Sequence, residues 1–497
     1  MTNANHEKLL NFIDGEWCDS SSGETTDNVN PSDTRHVLGP CVRSTKEDTE
    51  RAIAAAKSAQ TDWRRTPAPV RGRVIAKATQ LMIDRKQELA EALCLEEGKI
   101  LPEALGEVQK SINVLEFMTG ESRRLNGQTI PSEMPKTFAY TVRAPLGVAG
   151  LITPWNFPVC IPVWKIAPAL LTGNTVVFKP APLTPWTAKL VTEIFAEAGA
   201  PKGTINLVHG EGHDVGQTIV DHPDVPALSF TGSNQVGTAV YEAGAARLKK
   251  VQCEMGGKNP IIVLDDADIG LAAAATAMGA FGSTGQRCTA TSRAIVHESV
   301  ADEYVAKVLA LAEQVKVGNG MHEGITMGPS VGEAQMKKVL SYHEVAKEEG
   351  VKCLIGGTRL TDGDLAHGYY TAPTIYDHVD YKSRIGQEEI FGPVLSVIRV
   401  KSWEEAIEAA NSVEFGLTSS VFTNNVAKAM EYVDEIETGM LHVNSATVGG
   451  ESQLPFGGIK ATGVGQREMG PTAIDFFTEW KTVYVDYTGQ KRESKIY

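Results

Sequence analysis

Three side chains of this sequence could together perform covalent chemistry: a cysteine, a glutamate and an asparagine. Cys288 follows the turn-rich stretch Gly282–Arg287 and would be a nucleophile as a locally activated thiolate. Glu254 ends an apolar stretch, where burial would raise its pKa and allow it to activate water near neutral pH. Asn156 could donate its amide N–H to a developing oxyanion, beside the backbone N–H of Cys288. These roles predict a full reaction cycle on a thiol.

Each of these residues also has a structural interpretation, which its own position in the sequence leaves open. Cysteines are more often small buried apolar residues than nucleophiles. Glu254 could form an ion pair with Lys258 or with another cation. Asn156 could belong to a turn before Pro158. The choice therefore depends on the elements that surround them.

The pattern after Pro145 predicts the elements that position these residues. Short apolar stretches alternate with helical patterns, which indicates an α/β fold with a doubly wound parallel sheet. The strand candidates are Val148–Ile152, Thr175–Lys179, Ile205–Val208, Ala227–Thr231 and Lys250–Glu254, and the helix candidates are Pro158–Leu171, Pro185–Glu197 and Ser233–Ala243. Ligands of such sheets bind beyond the carboxyl ends of the strands. The residues expected at those ends are Asn156, Lys179, Gly210–Gly212, Gly232–Ser233 and Glu254.

A second α/β pattern follows Gly256 and places Cys288 on a loop between a helix and a strand. Its strand candidates are Pro260–Leu264, Ser292–Val296 and Val351–Ile355, and its helix candidates are Asp268–Phe281 and Val300–Glu313. Phe138–Arg143 alternates as an extended arm or edge strand, and Thr482–Asp486 could pair with it.

Local signals predict two helix starts and a strand-rich N-terminal region. The first forty residues resemble short strands at the surface. Ser44 with Glu47 predicts a capping box, and Thr184 before Pro185 predicts an N-cap followed by the first helical residue.

Charge and composition argue against several classes of protein. The formal charge is −14, from 47 basic and 61 acidic residues, so nucleic acid is not expected as a partner. Prolines interrupt the longest apolar region, Leu146–Phe178, so no membrane helix is expected, and Met1–Lys8 has no secretory pattern.

Seven cysteines without a CxxC pair predict reduced thiols in a cytoplasmic protein. His209 and His213 lack an HExxH context, so no metal site is predicted.

Glycine-rich turns could bind the phosphates of a nucleotide. Phe230–Ser233 leads into a helix whose N-terminal N–H groups would face an anion. Gly210–Gly216 has the spacing GxGxxxG, one residue longer than the dinucleotide fingerprint, and plain turns also explain its glycines. Lys179 at a strand end would be costly to bury without an anionic or polyhydroxyl partner.

Six motifs, in order, resemble those of the aldehyde dehydrogenase superfamily and span nearly the whole chain. They are Pro154–Pro158, Phe230–Ser233, Glu254–Lys258, Gly285–Cys288, Glu389–Pro393 and Pro455–Gly458. The resemblance implies a Rossmann-type parallel-sheet cofactor domain, a second α/β catalytic domain and a small β oligomerisation arm. The expected ranges are 1–122 and 146–255 for the cofactor domain, 256–472 for the catalytic domain, and 123–145 and 473–497 for the arm. A homo-dimer or homo-tetramer is expected with this fold.

Carried over position by position, the resemblance implies oxidation of an aldehyde to a carboxylate. Cys288 would form a thiohemiacetal whose oxyanion Asn156 stabilises, and hydride would pass to NAD or NADP. Glu254 would then activate water to hydrolyse the thioacyl enzyme. The expected cofactor contacts are Lys179 and Glu389 to the ribose groups, Gly232 and Ser233 to the pyrophosphate, and Trp155 and Phe391 around the cofactor.

The residue three positions after Lys179 governs the cofactor expectation. Superfamily members that prefer NAD commonly have a glutamate there, whereas this chain has Pro182. Without that carboxylate a 2′-phosphate is not repelled, so NAD and NADP are both expected.

The stretches Ile161–Lys165 and Ser283–Arg293 are most similar to the bacterial α-ketoglutaric semialdehyde (2,5-dioxopentanoate) dehydrogenases. That similarity implies an acidic semialdehyde, with Arg287, Trp164 and Ser445 as substrate-site candidates. Arg287 would bind the substrate carboxylate, or would instead form a structural ion pair. The alternative substrates are succinate semialdehyde and sulfo- or aromatic aldehydes. The alternative class is a non-catalytic, cofactor-binding scaffold.

Overall fold

The computed structural model describes residues 7–491, so parts of two predicted ranges, 1–6 of the cofactor domain and 492–497 of the arm, lie outside it. The predicted absence of a secretory pattern in Met1–Lys8 also falls mostly outside the described residues. The strands are β1 Asn11–Ile13, β2 Glu16–Cys18, β3 Thr25–Val29, β4 Val37–Val42, β5 Thr129–Ile130, β6 Thr137–Pro145, β7 Val148–Ile152, β8 Thr175–Lys179, β9 Ile205–Leu207, β10 Ala227–Thr231, β11 Lys250–Glu254, β12 Asn259–Val263, β13 Thr291–His297, β14 Lys352–Ile355, β15 Thr374–Asp377, β16 Val394–Val400, β17 Phe415–Gly416, β18 Thr418–Phe422, β19 Met440–Val443, β20 Ile459–Lys460, β21 Gly463–Val464 and β22 Thr478–Asp486.

The helices connect these strands and cover the faces of the sheets. They are α1 Lys46–Arg65, α2 Ala68–Asp84, α3 Lys86–Glu96, α4 Leu101–Glu121, α5 Cys160–Thr172, α6 Pro185–Glu197, α7 Gln217–Asp221, α8 Asn234–Ala245, α9 Ile269–Phe281, α10 Glu298–Glu313, α11 Glu333–Glu348, α12 Arg384–Gln387, α13 Trp403–Asn411, α14 Val426–Glu435 and α15 Gly470–Phe476. Short turns of other helix types lie at Gly212–Gly216, Gly282–Gly285 and Gly363–His367.

The larger sheet has eight strands in the order β2-β1-β9-β8-β7-β10-β11-β21. The five strands β7 to β11 are parallel and confirm the five predicted strands, except that β9 ends one residue earlier, at Leu207. Their side chains are mostly buried on both faces, as expected when helices cover a parallel sheet. The strand order reverses between β7 and β10, which creates a crevice at their carboxyl ends.

The second sheet has seven strands in the order β14-β15-β16-β13-β12-β18-β19. All pairs in it are parallel except β14 with β15. The predicted elements of this region form within one or two residues of their predicted ends. Helix α9 follows β12 in the chain, and Asp268 caps its start. The loop that carries Cys288 follows α9 and leads into β13, which confirms the predicted helix-to-strand loop.

The predicted pairing between the arm and the C-terminal strand is confirmed. β6 and β22 are antiparallel through nine residue pairs, from Thr137 with Asp486 to Pro145 with Thr478, and β5 adds a third strand. The ribbon exposes apolar side chains at Phe138, Trp480 and Tyr484.

Two expectations about the N-terminal region are wrong. The first forty residues do not all lie at the surface, because β1 is buried and pairs with β9 at the edge of the larger sheet. The capping box of α1 is formed by Thr45 and Asp48, one residue later than predicted. The Ser44 hydroxyl instead donates to Asn11 Oδ1 at 2.9 Å, so it is not available to cap the helix.

Thr184 occupies the predicted N-cap of α6, with Pro185 at the first helical position, but its hydroxyl forms no hydrogen bond among the described residues. The buried carboxylate of Glu96 accepts the first helical N–H groups instead, from Trp186 at 2.6 Å and Thr187 at 2.8 Å. The helix start is therefore capped through a residue distant in sequence.

Strand β21 crosses a predicted domain division. Gly463–Val464 lies within the range assigned to the catalytic domain, yet it pairs antiparallel with β11 of the larger sheet. The segment after Pro455 therefore contacts both halves of the molecule, and the domain boundaries remain predictions.

Candidate active site

A cleft opens at the crevice between β7 and β10, and Cys288 is one of its lining residues. Five of the predicted cofactor residues line it: Trp155, Gly232, Ser233, Glu389 and Phe391. The predicted oxyanion donor, Asn156, lines it too. The structure thus brings together residues from three separate parts of the chain. The crevice is where an open α/β sheet is expected to bind its ligand.

The first turn of α8 is suited to an anion. Ser233 is its N-cap residue, but the Ser233 side chain makes no capping hydrogen bond. First-turn N–H groups of a helix have no intrahelical partner, and the helix dipole favours negative charge there. A Cβ on Gly232 would overlap the Phe230 ring, so only glycine fits this turn. These features fit the pyrophosphate of a dinucleotide.

Glu389 and two aromatic rings form the opposite wall of the cleft. Trp155 and Phe391 meet edge to face with ring centroids 5.4 Å apart. Glu389 Oε1 accepts the Gly257 N–H at 2.8 Å, which leaves the second oxygen able to accept a hydroxyl. Burial raises the pKa of Glu389, and the Gly257 N–H opposes that rise. Phe391 adopts a left-handed backbone conformation, with φ of 60°, a strained geometry that is common at ligand sites.

Lys179 and Pro182 lie at the end of β8 and do not line the cleft beside Cys288. Lys179 is buried, and its ammonium donates to the Pro180 carbonyl at 3.0 Å. Burial lowers the pKa of Lys179 to about 8, with the Glu211 carboxylate opposing that change. An ammonium has three donors, so further hydroxyl or phosphate oxygens can bind to it. Pro182 is exposed in the loop that follows.

The loop that carries Cys288 is strained and anchored at several points. Ser283 and Thr284 both have positive φ, 48° and 56°, and a Cβ on Gly285 would overlap the Gly392 carbonyl. The Ser283 N–H donates to Glu103 at 2.7 Å, and Thr284 Oγ1 donates to the Gly328 carbonyl at 3.0 Å. Such strain persists only where the surroundings fix the conformation.

The groups around Cys288 disfavour the thiolate form of its side chain, and the predicted local activation of the thiol remains a prediction. Burial and the carboxylates of Glu389, Glu254 and Glu468 together raise the pKa of Cys288 to about 12. The Thr289 N–H acts in the opposite direction. The resting thiol is therefore protonated at neutral pH, and a base must remove its proton during the reaction.

Asn156 is buried beside the Cys288 loop. Its Nδ2 donates to the Gln286 carbonyl at 3.0 Å, and the amide carries a second N–H. Its backbone carbonyl accepts a short hydrogen bond from Lys99, whose ammonium also donates to Glu107 Oε2 at 2.7 Å. This buried ion pair was not predicted from the sequence, although Lys99 and Glu107 are only eight residues apart in the chain.

Glu254 is buried at the end of β11 and lines neither cavity that contains Cys288. Its Oε2 accepts the Gly458 N–H at 3.3 Å, and Oε1 has no hydrogen-bond partner among the described residues. Burial and the neighbouring Glu468 carboxylate raise the pKa of Glu254 well above its usual value. A Cβ on Gly457 would overlap Oε1, so glycine is required there.

The alternative ion pair of Glu254 with Lys258 does not form. Lys258 donates to the Glu388 carbonyl at 2.6 Å. The raised pKa of Glu254 suits it to accept a proton near neutral pH.

A second cavity also reaches Cys288. Helices α4 and α5 supply one side, including Glu103, Glu107, Lys110, Cys160, Ile161 and Trp164, and the loop Val448–Gly450 supplies another. Trp164 packs against Phe456 with ring centroids 5.3 Å apart. The structure does not bring Ser445 to this cavity: Ser445 is exposed, and its carbonyl accepts the Ser420 hydroxyl at 2.5 Å.

Arg287 lines this cavity but is paired with an acid. Its Nη2 lies 3.1 Å from Glu103 Oε1, and its Nε donates to Ser283 Oγ at 3.0 Å. The structural ion pair left open by the sequence is therefore present, and it lies within the wall of the cavity.

Lys110 lines this cavity and was not predicted from the sequence. Glu103, Glu107 and Lys110 are spaced i, i+4 and i+7 on α4, so they share one helix face. That spacing could have identified the face.

Comparison with known proteins supplies the family. The sequence profile of the aldehyde dehydrogenase family matches residues 17–483. The chain belongs to the aldehyde dehydrogenase family. It is 47% identical over 476 residues to the α-ketoglutaric semialdehyde dehydrogenase of Bacillus subtilis, covering 96% of this chain and 98% of that one.

Two further relatives agree with this assignment. The chain is 44% identical over 472 residues to the 2,5-dioxopentanoate dehydrogenase of Saccharolobus solfataricus, covering 94% of this chain and 98% of that one. A crystal structure of betaine aldehyde dehydrogenase from Staphylococcus aureus in complex with NAD+ has a TM-score of 0.95 at 35% identity, covering 97% of this chain and 95% of that one.

The family assignment confirms the predicted resemblance, the fold class and the prediction of an NAD(P)-dependent aldehyde dehydrogenase. Aldehydes are thus its class of substrate. Among residues 7–491, no helix is both long and apolar enough to cross a bilayer, and no three His, Cys, Asp or Glu side chains are grouped to hold a metal ion. The individual aldehyde and the role of each residue remain predictions.

Proposed function

We propose that this enzyme oxidises an acidic semialdehyde, foremost α-ketoglutaric semialdehyde, to the corresponding carboxylate with NAD or NADP. The observation that carries the proposal is that Cys288 lines both cavities. The first cavity has the uncapped helix start and the paired aromatic rings that fit a dinucleotide. The second is separate from those features and lies between α4 and α5, where an aldehyde can reach the same sulfur atom.

In the first half of the proposed reaction, the Cys288 sulfur bonds to the aldehyde carbon and the thiol loses its proton. Water in the cleft carries that proton to solvent, so Glu254 remains free for the second half of the reaction. The carbonyl oxygen becomes an oxyanion, which Asn156 Nδ2 and the Cys288 N–H would stabilise. The bound cofactor supplies the hydride acceptor.

In the second half, Glu254 removes a proton from water as the water oxygen attacks the thioacyl carbon. The C–S bond then breaks and the carboxylate product leaves. In the resting structure the Glu254 carboxylate accepts from Gly458, so its side chain must turn away from that N–H to reach the thioester.

The choice of α-ketoglutaric semialdehyde is supported by the names of the Bacillus and Saccharolobus relatives. Succinate semialdehyde, a sulfo-aldehyde or an aromatic aldehyde is the alternative substrate. A non-catalytic scaffold would have no need for Cys288 and Glu254 together.

NAD as cofactor is supported by the NAD+ complex of a structural relative. NADP is supported by Pro182, which is exposed and stands three residues after Lys179, where a glutamate would repel the 2′-phosphate. Both cofactors therefore belong to the proposal. The proposed roles of Lys179, Glu389, Gly232, Ser233, Trp155 and Phe391 are those given by the family resemblance.

We also propose the predicted division into two domains and an arm, and a homo-dimer or homo-tetramer assembled through the arm. The exposed apolar side chains of the three-stranded ribbon support this assembly. A cytoplasmic location stays a prediction, as does the absence of nucleic-acid and membrane partners. The mass of the particle in solution, before and after removal of residues 478–497, tests the arm.

The proposal is tested with a panel of aldehydes and both cofactors. We expect the highest kcat/KM with α-ketoglutaric semialdehyde, a lower value with succinate semialdehyde, and much lower values with pentanal and benzaldehyde. Cys288→Ala should remove cofactor reduction, whereas Cys353→Ala, an exposed cysteine outside both cavities, should leave it unchanged. Cofactor binding without any reduction across the panel would favour the scaffold instead.

A further inference from the structure

The ionisable side chains of the second cavity leave one cation without a carboxylate partner. Glu103 is paired with Arg287 at 3.1 Å, and Glu107 is paired with Lys99 at 2.7 Å. The remaining charged lining residue is Lys110. Within residues 7–491, no carboxylate lies within ion-pairing distance of its ammonium. Two carboxylates and two cations line the cavity that leads to Cys288, and Lys110 is the lining cation that has no paired carboxylate among the described residues.

Lys110 is held by a neutral acceptor across the cavity. Its ammonium on α4 donates a short hydrogen bond to the Gly450 carbonyl on the loop Val448–Gly450. A lysine ammonium has three donors, so this contact leaves two for a ligand.

Burial lowers the pKa of Lys110, and the nearby Cys160 and Glu451 side chains act in the opposite direction. Glu451 does not line the cavity, and its Oε2 accepts from Gln453. A partly desolvated ammonium gains more from an anionic ligand than an exposed one, because the effective dielectric constant is lower.

We propose that Lys110 binds the distal carboxylate of an acidic semialdehyde whose aldehyde carbon lies at Cys288. The inference rests on the proposed function, because it names the residue that recognises the acidic end of that substrate. It also assigns a different role to Arg287, which is held by Glu103 and Ser283. Lys110 then selects the carboxylate, and Arg287 stabilises the loop that carries the nucleophile.

The test uses Lys110→Met, which removes the charge and keeps an unbranched side chain, and Lys110→Arg, which keeps the charge. Kinetics are measured with α-ketoglutaric and succinate semialdehydes and with their uncharged counterparts of equal length, pentanal and butanal. Loss of a charge-assisted hydrogen bond predicts a rise in KM of about tenfold to a hundredfold for the two acids. The uncharged aldehydes should change less than about threefold, and Lys110→Arg should recover part of the loss. Lys77→Met, an exposed lysine on α2, is the matched control.

A second measurement needs no variant. In the proposed arrangement, pentanoate should compete with the acidic semialdehyde through its single carboxylate, whereas uncharged pentanamide should compete at least tenfold more weakly. The preference for pentanoate should shrink in Lys110→Met.

The outcomes separate the two proposals. A wild type that prefers the acids, together with a Lys110→Met variant that keeps the same preference, would overturn the role of Lys110 and leave the proposed function standing. A wild type that oxidises pentanal as well as the acids would overturn both. A KM rise confined to the acids, with partial recovery in Lys110→Arg, supports both.

Discussion

Replacing Arg287 by alanine should damage the reaction with every aldehyde to the same degree. Arg287 forms two interactions, with Glu103 at 3.1 Å and with Ser283 at 3.0 Å, and the side chains of the ion pair are only 17% and 16% exposed. Interactions with charged groups contribute about 1.5–3 kcal/mol each, and an unpaired acid in the wall adds to the loss. We therefore expect the free energy of unfolding to fall by about 2–4 kcal/mol.

The kinetic effect follows from the loop rather than from the substrate. Without Arg287, Ser283 loses one of the contacts that maintain its positive φ, and Cys288 lies five residues further along the same loop. The value of kcat/KM should thus fall by a similar factor for α-ketoglutaric semialdehyde and for pentanal. Arg73→Ala, an exposed arginine on α2, serves as the control for loss of an arginine.

A double-mutant cycle makes the reasoning refutable. Glu103→Ala should destabilise the protein too, and the double variant should lose less than the sum, with a coupling energy of about 1–3 kcal/mol. Denaturant unfolding and steady-state kinetics on the four proteins supply these values. A KM rise confined to the acidic aldehyde in Arg287→Ala, with no effect of Glu103→Ala, would show that Arg287 binds the substrate carboxylate and that the ion pair is incidental.

Three further perturbations probe the surroundings of the nucleophile. Lys99→Met leaves Glu107 buried without its cation, so the free energy of unfolding should fall by about 3–5 kcal/mol. The value of kcat should also fall, because the loop that carries Asn156 loses its contact with Lys99. An unchanged denaturation midpoint would contradict this prediction. Gly457→Ala places a methyl group against the Glu254 carboxylate. In single-turnover kinetics, the rate of acyl hydrolysis should fall more than the rate of cofactor reduction. Equal effects on the two rates would contradict this prediction. Alkylation of Cys288 by iodoacetamide in the cofactor-free enzyme should rise about tenfold per pH unit from pH 7 to 10, because only the thiolate reacts and its pKa is raised to about 12; a plateau near pH 7 would show an activated thiol.

The parts of the site that lie at strand ends were predictable from the sequence. Period and composition mark β7, β8, β10 and β11, and parallel strands must bring their carboxyl ends to one edge. Asn156, Gly232 and Ser233 therefore converge on one cleft, as predicted. Period and composition also mark the helix α9 and the strand β13, so the loop of Cys288 between them was predictable.

Charge pairing across the chain was not predictable. Arg287 meets Glu103, and Lys99 meets both Glu107 and the carbonyl of Asn156, through contacts that no local pattern encodes. The pKa of Cys288 has the same origin, since its rise follows from burial and from carboxylates distant in sequence. Local motifs predict Cys288 as the nucleophile, whereas only the fold determines the protonation of its thiol.

The register of the helix caps shows how small competing contacts decide local structure. Ser44 and Thr45 are both capable N-cap residues. Ser44 donates to Asn11 in the adjoining strand, and Thr45 is left to pair with Asp48. The predicted N-cap can therefore be wrong by one residue when a residue distant in sequence forms a hydrogen bond with the expected capping side chain.

The central claim is that Cys288 carries the acyl group and Glu254 releases it. Glu254→Gln should therefore reduce one equivalent of cofactor per active site in a burst with α-ketoglutaric semialdehyde and then stall. Mass spectrometry of the stalled enzyme should find the acyl adduct on the peptide that contains Cys288. Steady turnover in Glu254→Gln without a burst, or a burst with no adduct on Cys288, would contradict the account.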